Sequence, residues 1–299
     1  MNLYYSESYT LSGYAFDTTR KARWVAESLQ AQPVAGVALV APASVTEREL
    51  RVAHDAAYVQ AVKSGEPRYL AESQGFEWDP RLWTMVCAST GGAIAAARDA
   101  RRDGVAGSLS SGLHHARRNA GAGYCTFNGL ALAALDARQR GAQSVLILDL
   151  DAHCGGGTHA LLGDAPFVRT ADVSVSPYDR YTPAARNRLE LVDEAGQYLA
   201  AVERLLSEIE LEARYDLCLY NAGMDPYEGC TIGGLAGITR PILAERERLV
   251  FQWLQAHARA VAFVLAGGYT GLSLTQDELV ALHRLTIESA SAAAGVWAI

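Results

Sequence analysis

Residues 144–159 read S-V-L-I-L-D-L-D-A-H-C-G-G-G-T-H, an apolar run that ends in acids, a histidine and glycines. The run shows no polar alternation, the pattern of a strand covered on both faces of a parallel sheet. Asp149, Asp151 and His153 leave it at i, i+2 and i+4, which puts all three on one face of an extended chain. Polar groups emerging in step from a buried strand are costly unless they bind something. Carboxylate with imidazole suits Zn²⁺ or Fe²⁺, and the glycines that follow allow backbone to pass close to a ligand. The plainer alternative is a strand-end turn built from Asp and Gly.

Working outward, the same kind of run recurs. Candidate strands at 2–5, 37–40, 105–109, 144–149, 172–175, 216–220 and 261–265 alternate with helical spacing at 19–30, 82–103, 129–140, 198–210 and 240–258. This alternation predicts βαβ units and an α/β fold, with one domain over residues 1–299 because no linker, repeat or composition shift divides the chain. Functional groups in such sheets gather in loops beyond the carboxyl ends of strands. Four loops of that kind, 110–128, 149–159, 221–231 and 266–271, are rich in Gly, His and Asp.

Loop 110–128 carries adjacent His114 and His115. Imidazole titrates near neutrality, so one ring can serve as base and acid while the other holds charge. A bare His-His pair is also a common surface or capping feature. Loop 221–231 offers Asp225 as an oxygen ligand or as an Asp-Pro turn opener. Loop 266–271 places Tyr269 after two glycines, where its hydroxyl can donate to an oxyanion or its ring can simply pack.

Composition narrows the classes. Of 299 residues half are hydrophobic and a fifth charged, which excludes disorder, and the net charge of −7 argues against a dedicated nucleic-acid binder. The acidic balance weakly favours a cationic substrate. No apolar run approaches the ~20 residues of a bilayer span, so no membrane association is expected. The first ten residues lack the basic segment and apolar core of a secretion signal. Five scattered cysteines with no CxxC pair point to free thiols in a reducing compartment, the cytoplasm.

Taken together, AHDAAYVQAV from residue 53, GGAIAAA from 91, GLHHA from 112, GYCTFNGLA from 123, DLDAHCGGGT from 149, VSVS from 173, NAGMDP from 221 and LAGGY from 265 form an ordered set. In that order they resemble the metal-dependent histone deacetylase family, which includes acetoin-utilisation proteins and acetylpolyamine amidohydrolases. The resemblance implies an arginase-like fold, a mostly parallel eight-stranded sheet flanked by helices. It implies hydrolysis of an acetylated amine, such as acetyl-lysine or an acetylpolyamine, by metal-activated water.

Residue by residue, it makes Asp151, His153 and Asp225 the ligands of Zn²⁺, with Fe²⁺ as the alternative. It makes His115 the general base and acid, His114 its electrostatic partner held by Asp149, and Tyr269 the oxyanion donor. Asp149, Ser174 and the carbonyls of Asp151, His153 and Val175 match a structural monovalent-cation site, usually potassium. Gly123, Tyr124 and Ile232 fall where family members line the acyl-lysine channel.

The chain departs from the pattern after His153, where the family carries His, Gly and then Asp or Asn, and this chain has Cys154, Gly155 and Gly156. Gly156 has no side chain, so His115 is expected to lack the carboxylate that orients it. Ser176 replaces a family histidine, and another expected near the amino terminus is absent from 11–22. His54 reads as structural, and His159, His257 and His283 as ordinary core or surface residues.

Two rival functions remain. A binuclear-manganese ureohydrolase would need acids where Gly155, Asn221 and Ala222 stand. A metal-bearing but inactive binder of acetylated ligands draws its support from Gly156. The helical face at 249–260 fits either a homo-oligomer contact or packing on the sheet.

Overall fold

The computed structural model describes residues 1–12, 17–184, 186–210 and 213–297. Part of the 11–22 stretch that lacks the expected histidine, residues 13–16, lies outside them. Eight strands, β1 (Asn2–Tyr4), β2 (Ala38–Val40), β3 (Val105–Ser108), β4 (Val145–Asp149), β5 (Val168–Ser174), β6 (Arg188–Leu191), β7 (Leu217–Ala222) and β8 (Val261–Leu265), form one sheet. Their order is β2-β1-β3-β8-β7-β4-β5-β6, and every pairing is parallel.

Strand alternation divides the core into two layers. Leu146, Leu148, Cys218, Tyr220, Val261 and Phe263 face helices Asp17–Ala31, Tyr198–Glu208, Arg240–His257 and Gln276–Ala293. Val145, Ile147, Leu217, Leu219, Ala262 and Val264 face helices Ala56–Ser64, Leu82–Asp103 and Gly129–Gln139. Burial on both faces is why β4 and β8 read as uninterrupted apolar runs. Val250, Phe251 and Leu254 are buried in the first layer, so the apolar face of 249–260 packs on the sheet.

The seven expected strands are present, 261–265 with the ends expected and the other six with shifted ends. β5 starts at Val168 rather than 172, because Arg169 and Thr170 hide its amino-terminal half. β6 was not foreseen: R-L-E-L is a half-buried edge strand, paired only with β5, and carries little apolar signal. Helices Ala56–Ser64, Gly156–Leu162 and Gln276–Ala293 are also additions, the second masked by two glycines at its start.

Candidate functional site

The loops that follow β3, β8, β7 and β4 converge because those four strands are neighbours in the sheet. Two residues beyond β4, Asp151 Oδ1 lies 3.1 Å from His153 Nδ1, and Asp225 Oδ2, from the loop after β7, lies 3.2 Å from the same nitrogen. One ligand atom from each residue falls within 4.8 Å of the others, and all three residues are buried. Backbone holds the remaining oxygens: Gly267 N–H donates to Asp151 Oδ2 at 2.8 Å, and Ala152 N–H donates to Asp225 Oδ1 at 2.9 Å.

Asp225 Oδ2 is buried and faces His153 Nδ1. Burial and the neighbouring Asp151 carboxylate push Asp225 up to about 6. Burial opposes charge on His153, yet Asp151 and Asp225 hold it up at about 10. Two carboxylate oxygens and one imidazole nitrogen turned on a common point fit a divalent cation with coordination positions left open.

Beside this cluster sits the histidine pair. His114 Nδ1 is 2.7 Å from Asp149 Oδ2, and Asn221 Nδ2 donates to Asp149 Oδ1 at 2.8 Å. The two Nε2 atoms of His114 and His115 are 3.1 Å apart. Burial alone would depress His114, but Asp149 and Asp151 hold it up at about 10. His115 is driven down to about 4 by burial and by the charge on His114. One ring is therefore charged and the other neutral at pH 7.

The expectation that His115 has no carboxylate partner is overturned. Its Nδ1 is 2.9 Å from Asp179 Oδ2, on the loop between β5 and β6. Arg117 donates to the other oxygen, and Gly157 N–H donates to Oδ2 at 3.1 Å. Gly156 is what admits this residue: a Cβ there would stand 2.3 Å from the Asp179 carbonyl oxygen and 2.5 Å from Oδ1. The sequence carried little warning, since Asp179 belongs to an irregular loop outside the family motifs.

Above the cluster opens a cavity of about 520 Å³, walled by Tyr124, Tyr178 and Ile232, with His115, His153 and Tyr269 at its lining. Gly123, also at the wall, has φ +50°, and a Cβ there would meet His115 Cδ2 at 2.5 Å. Tyr178 was missed by the sequence reading; its ring stands edge-on to His115 at 5.0 Å and to His153 at 5.9 Å. A larger, more polar depression of about 650 Å³ between helices Asp17–Ala31 and Gln276–Ala293 holds none of these groups.

Ser174 and Val175 lie at the end of β5, beside β4. Val175 N–H donates to Ala152 O at 2.9 Å. The buried Ser174 hydroxyl lacks a conventional hydrogen bond, with the Cys154 thiol as a polar neighbour. Nearby Asp172 is pushed up to about 8 by burial and by Asp149. Two crowded buried carboxylates, Asp149 and Asp172, fit a cation nearby.

The other histidines serve elsewhere: His54 bridges Arg117 O and Asn128 N–H, His159 stacks on Tyr181, His257 stacks on Trp253, and His283 is fully buried.

A histone deacetylase domain model matches residues 15–285. An uncharacterized protein of Picosynechococcus sp. is 34% identical over 229 residues, covering 74% of this chain and 75% of that protein. The crystal structure of the HDA15 HD domain is similar with a TM-score of 0.79 at 20% identity, over 97% of this chain and 89% of that one. An acetylpolyamine aminohydrolase from Burkholderia pseudomallei gives a TM-score of 0.75 at 18% identity, over 97% and 98% of the two chains. The architecture is the expected arginase-like one.

Proposed function

We propose that this chain, which belongs to the histone deacetylase family, hydrolyses the amide of an acetylated amine at a divalent cation held by Asp151, His153 and Asp225. The observation that carries the reading is that His115 and Tyr269 line the same cavity as the ligand His153, so base, oxyanion donor and metal cluster address one point. The cation, Zn²⁺ by this donor set with Fe²⁺ as the alternative, would polarise the acyl carbonyl and acidify a water.

The side chains do the rest. Neutral His115 takes the water's proton on Nε2, while charged His114, held by Asp149, offsets negative charge developing nearby. Tyr269 donates its hydroxyl to the oxyanion. His115 then returns its proton to the departing nitrogen as the C–N bond breaks, leaving the carboxylate and the free amine. Asp149, Ser174 and the carbonyls of Asp151, His153 and Val175 would hold K⁺, whose charge offsets that of the buried acids.

Gly123, Tyr124 and Ile232, joined by Tyr178, would form the channel for the acyl-bearing arm. Acetyl-lysine and acetylpolyamines both fit it; the likeness to an acetylpolyamine aminohydrolase and the net charge of −7 support the second. Five free thiols support a reducing, cytoplasmic setting. Among the described residues no helix is long and apolar enough to cross a membrane. The ureohydrolase reading lacks acids at Gly155, Asn221 and Ala222. The inactive-binder reading loses its main support once His115 has Asp179 as partner.

Acetate release by Zn²⁺- or Fe²⁺-loaded protein from acetyl-lysine peptides and acetylpolyamines tests the reading. Release should fall roughly 10²–10³-fold in Tyr269→Phe with little change in KM, as when one oxyanion donor is lost. No release from any acetylated amine by the loaded wild type would overturn it.

A further inference from the structure

We propose that Asp179 is the positioning residue of His115, a carboxylate delivered from the β5–β6 loop into space left open by Gly156 and locked there by Arg117. The inference rests on the deacetylase reading and goes beyond it, because the family pattern puts this function at position 156, where the chain has only hydrogen.

The carboxylate is held on every side. Oδ2 faces His115 Nδ1 at 2.9 Å and accepts from Gly157 N–H at 3.1 Å, while Oδ1 receives the Arg117 guanidinium. Its side chain is only 8% exposed. A guanidinium on one oxygen and an amide on the other fix the plane of the carboxylate, so it presents one lone pair to the imidazole in one direction. Arg117 also donates to His115 O at 3.1 Å, so the same guanidinium ties the Asp179 loop to the backbone of the base.

The backbone bears a cost for this placement. Asp179 has φ +59°, in the left-handed region that Asp tolerates better than most side chains. Leu113 and Tyr124, the other non-glycine residues with positive φ among those described, lie next to His114 and in the cavity wall, so backbone strain concentrates around this one site. A Cβ at 156 would stand 2.3 Å from the Asp179 carbonyl oxygen, so a side chain there and Asp179 in this position exclude one another. The two features form a single exchange of one carboxylate position for another.

The consequence is a defined tautomer. With Nδ1–H given to Asp179, Nε2 is the basic nitrogen of His115, turned toward His114 Nε2 3.1 Å away.

The test uses the full chain, metal-loaded and ¹⁵N-labelled at histidine, as wild type, Asp179→Gly and Asp179→Asn. Gly accepts the left-handed backbone and removes the carboxylate; Asn keeps its size and one oxygen while losing charge. The wild type should show the His115 Nδ1–H tautomer with a low-field ring proton. Asp179→Gly should lose that proton and drop kcat roughly 10–100-fold with KM within about twofold, and Asp179→Asn should fall between. The proposal is overturned if the low-field proton survives in Asp179→Gly, or if kcat in both variants stays within about threefold of wild type. Should Asp179→Gly fail to fold, Asp179→Asn decides: an upfield shift of the ring proton with reduced kcat supports the assignment, and an unchanged spectrum overturns it. A wild type that releases no acetate refutes the deacetylase reading instead, and the imidazole spectrum still decides the role of Asp179.

Discussion

His114 and His115 are adjacent in the chain yet sit at opposite ends of the imidazole range, about 10 and about 4. Both are buried and each faces a carboxylate; what separates them is that Asp149 and Asp151 together hold His114 charged, and for His115 burial and that charge outweigh Asp179. Because a general base must be neutral, a depressed value moves the acid limb of the pH profile downward. With metal kept saturating, kcat/KM should hold as pH falls through 6.5 and decline only toward about 4, and a limb centred at 6.5 would contradict this. Removal of Asp225, proposed above as a cation ligand, should abolish stoichiometric Zn²⁺ binding in a direct titration of Asp225→Ala. In the wild type, affinity should rise with pH, since the raised His153 must lose its proton to bind. At this scale the residue types on the four loops are legible in the amino-acid sequence, because their chemistry is local. Asp179 and Tyr178 are not: an acid and an aromatic in an irregular loop carry no periodicity, and only the return of the chain from β5 brings them to His115.

Among the elements, helix Gly129–Gln139 shows how secondary structure places the site. Asn128 caps it by accepting from Ala131 N–H at 2.9 Å, and its Nδ2 reaches His114 O, Ala116 O and Thr158 Oγ1. The cap of one helix therefore fixes the backbone of the His-His loop. Replacing Asn128 by Ala removes a cap and takes from the Ala116 carbonyl its side-chain donor, while His114 O keeps the Thr158 N–H, a loss of about 1–3 kcal/mol in denaturant unfolding. Activity should fall along with stability, since the His-His loop loses one of its anchors. The helix itself was readable from its Ala/Leu spacing, as was Leu82–Asp103 to the residue. β6 and Gly156–Leu162 were not, since an edge strand needs little apolar surface and a glycine-rich start resembles a turn.

For the molecule as a whole, the site is joined to the core by a buried ion pair. Arg246, fully buried on helix Arg240–His257, bonds Glu247 Oε1 at 2.7 Å and 2.9 Å and donates to Leu150 O, between Asp149 and Asp151. Arg246→Leu leaves Glu247 as an uncompensated buried acid and should cost about 3–5 kcal/mol, while adding Glu247→Leu should recover much of it; thermal unfolding of the three proteins decides. His54 adds a pH dependence of the same sign as that of a paired acid. Burial holds it down at about 4, below its ordinary 6.5, so the folded state binds fewer protons than the unfolded one. The stability it contributes is present above 6.5 and is lost as pH falls toward 4, and His54→Gln should flatten that part of a pH–Tm curve.

Sequence alone determined the α/β class, the strands that build the centre of the sheet and the polar residues that the candidate site gathers. Those features are written in short-range patterns: uninterrupted apolar runs, helical spacing, and polar groups emerging just past strand ends. Tertiary structure decided what depends on which strands become neighbours. The order β3-β8-β7-β4 gathers four distant loops at one point. Burial among the gathered acids sets the charges of two adjacent histidines apart, and β5, packed beside β4, brings Asp179 as the carboxylate that the motif around Gly156 lacks. Long-range proximity, and the electric field it creates, is not encoded in any window of the chain.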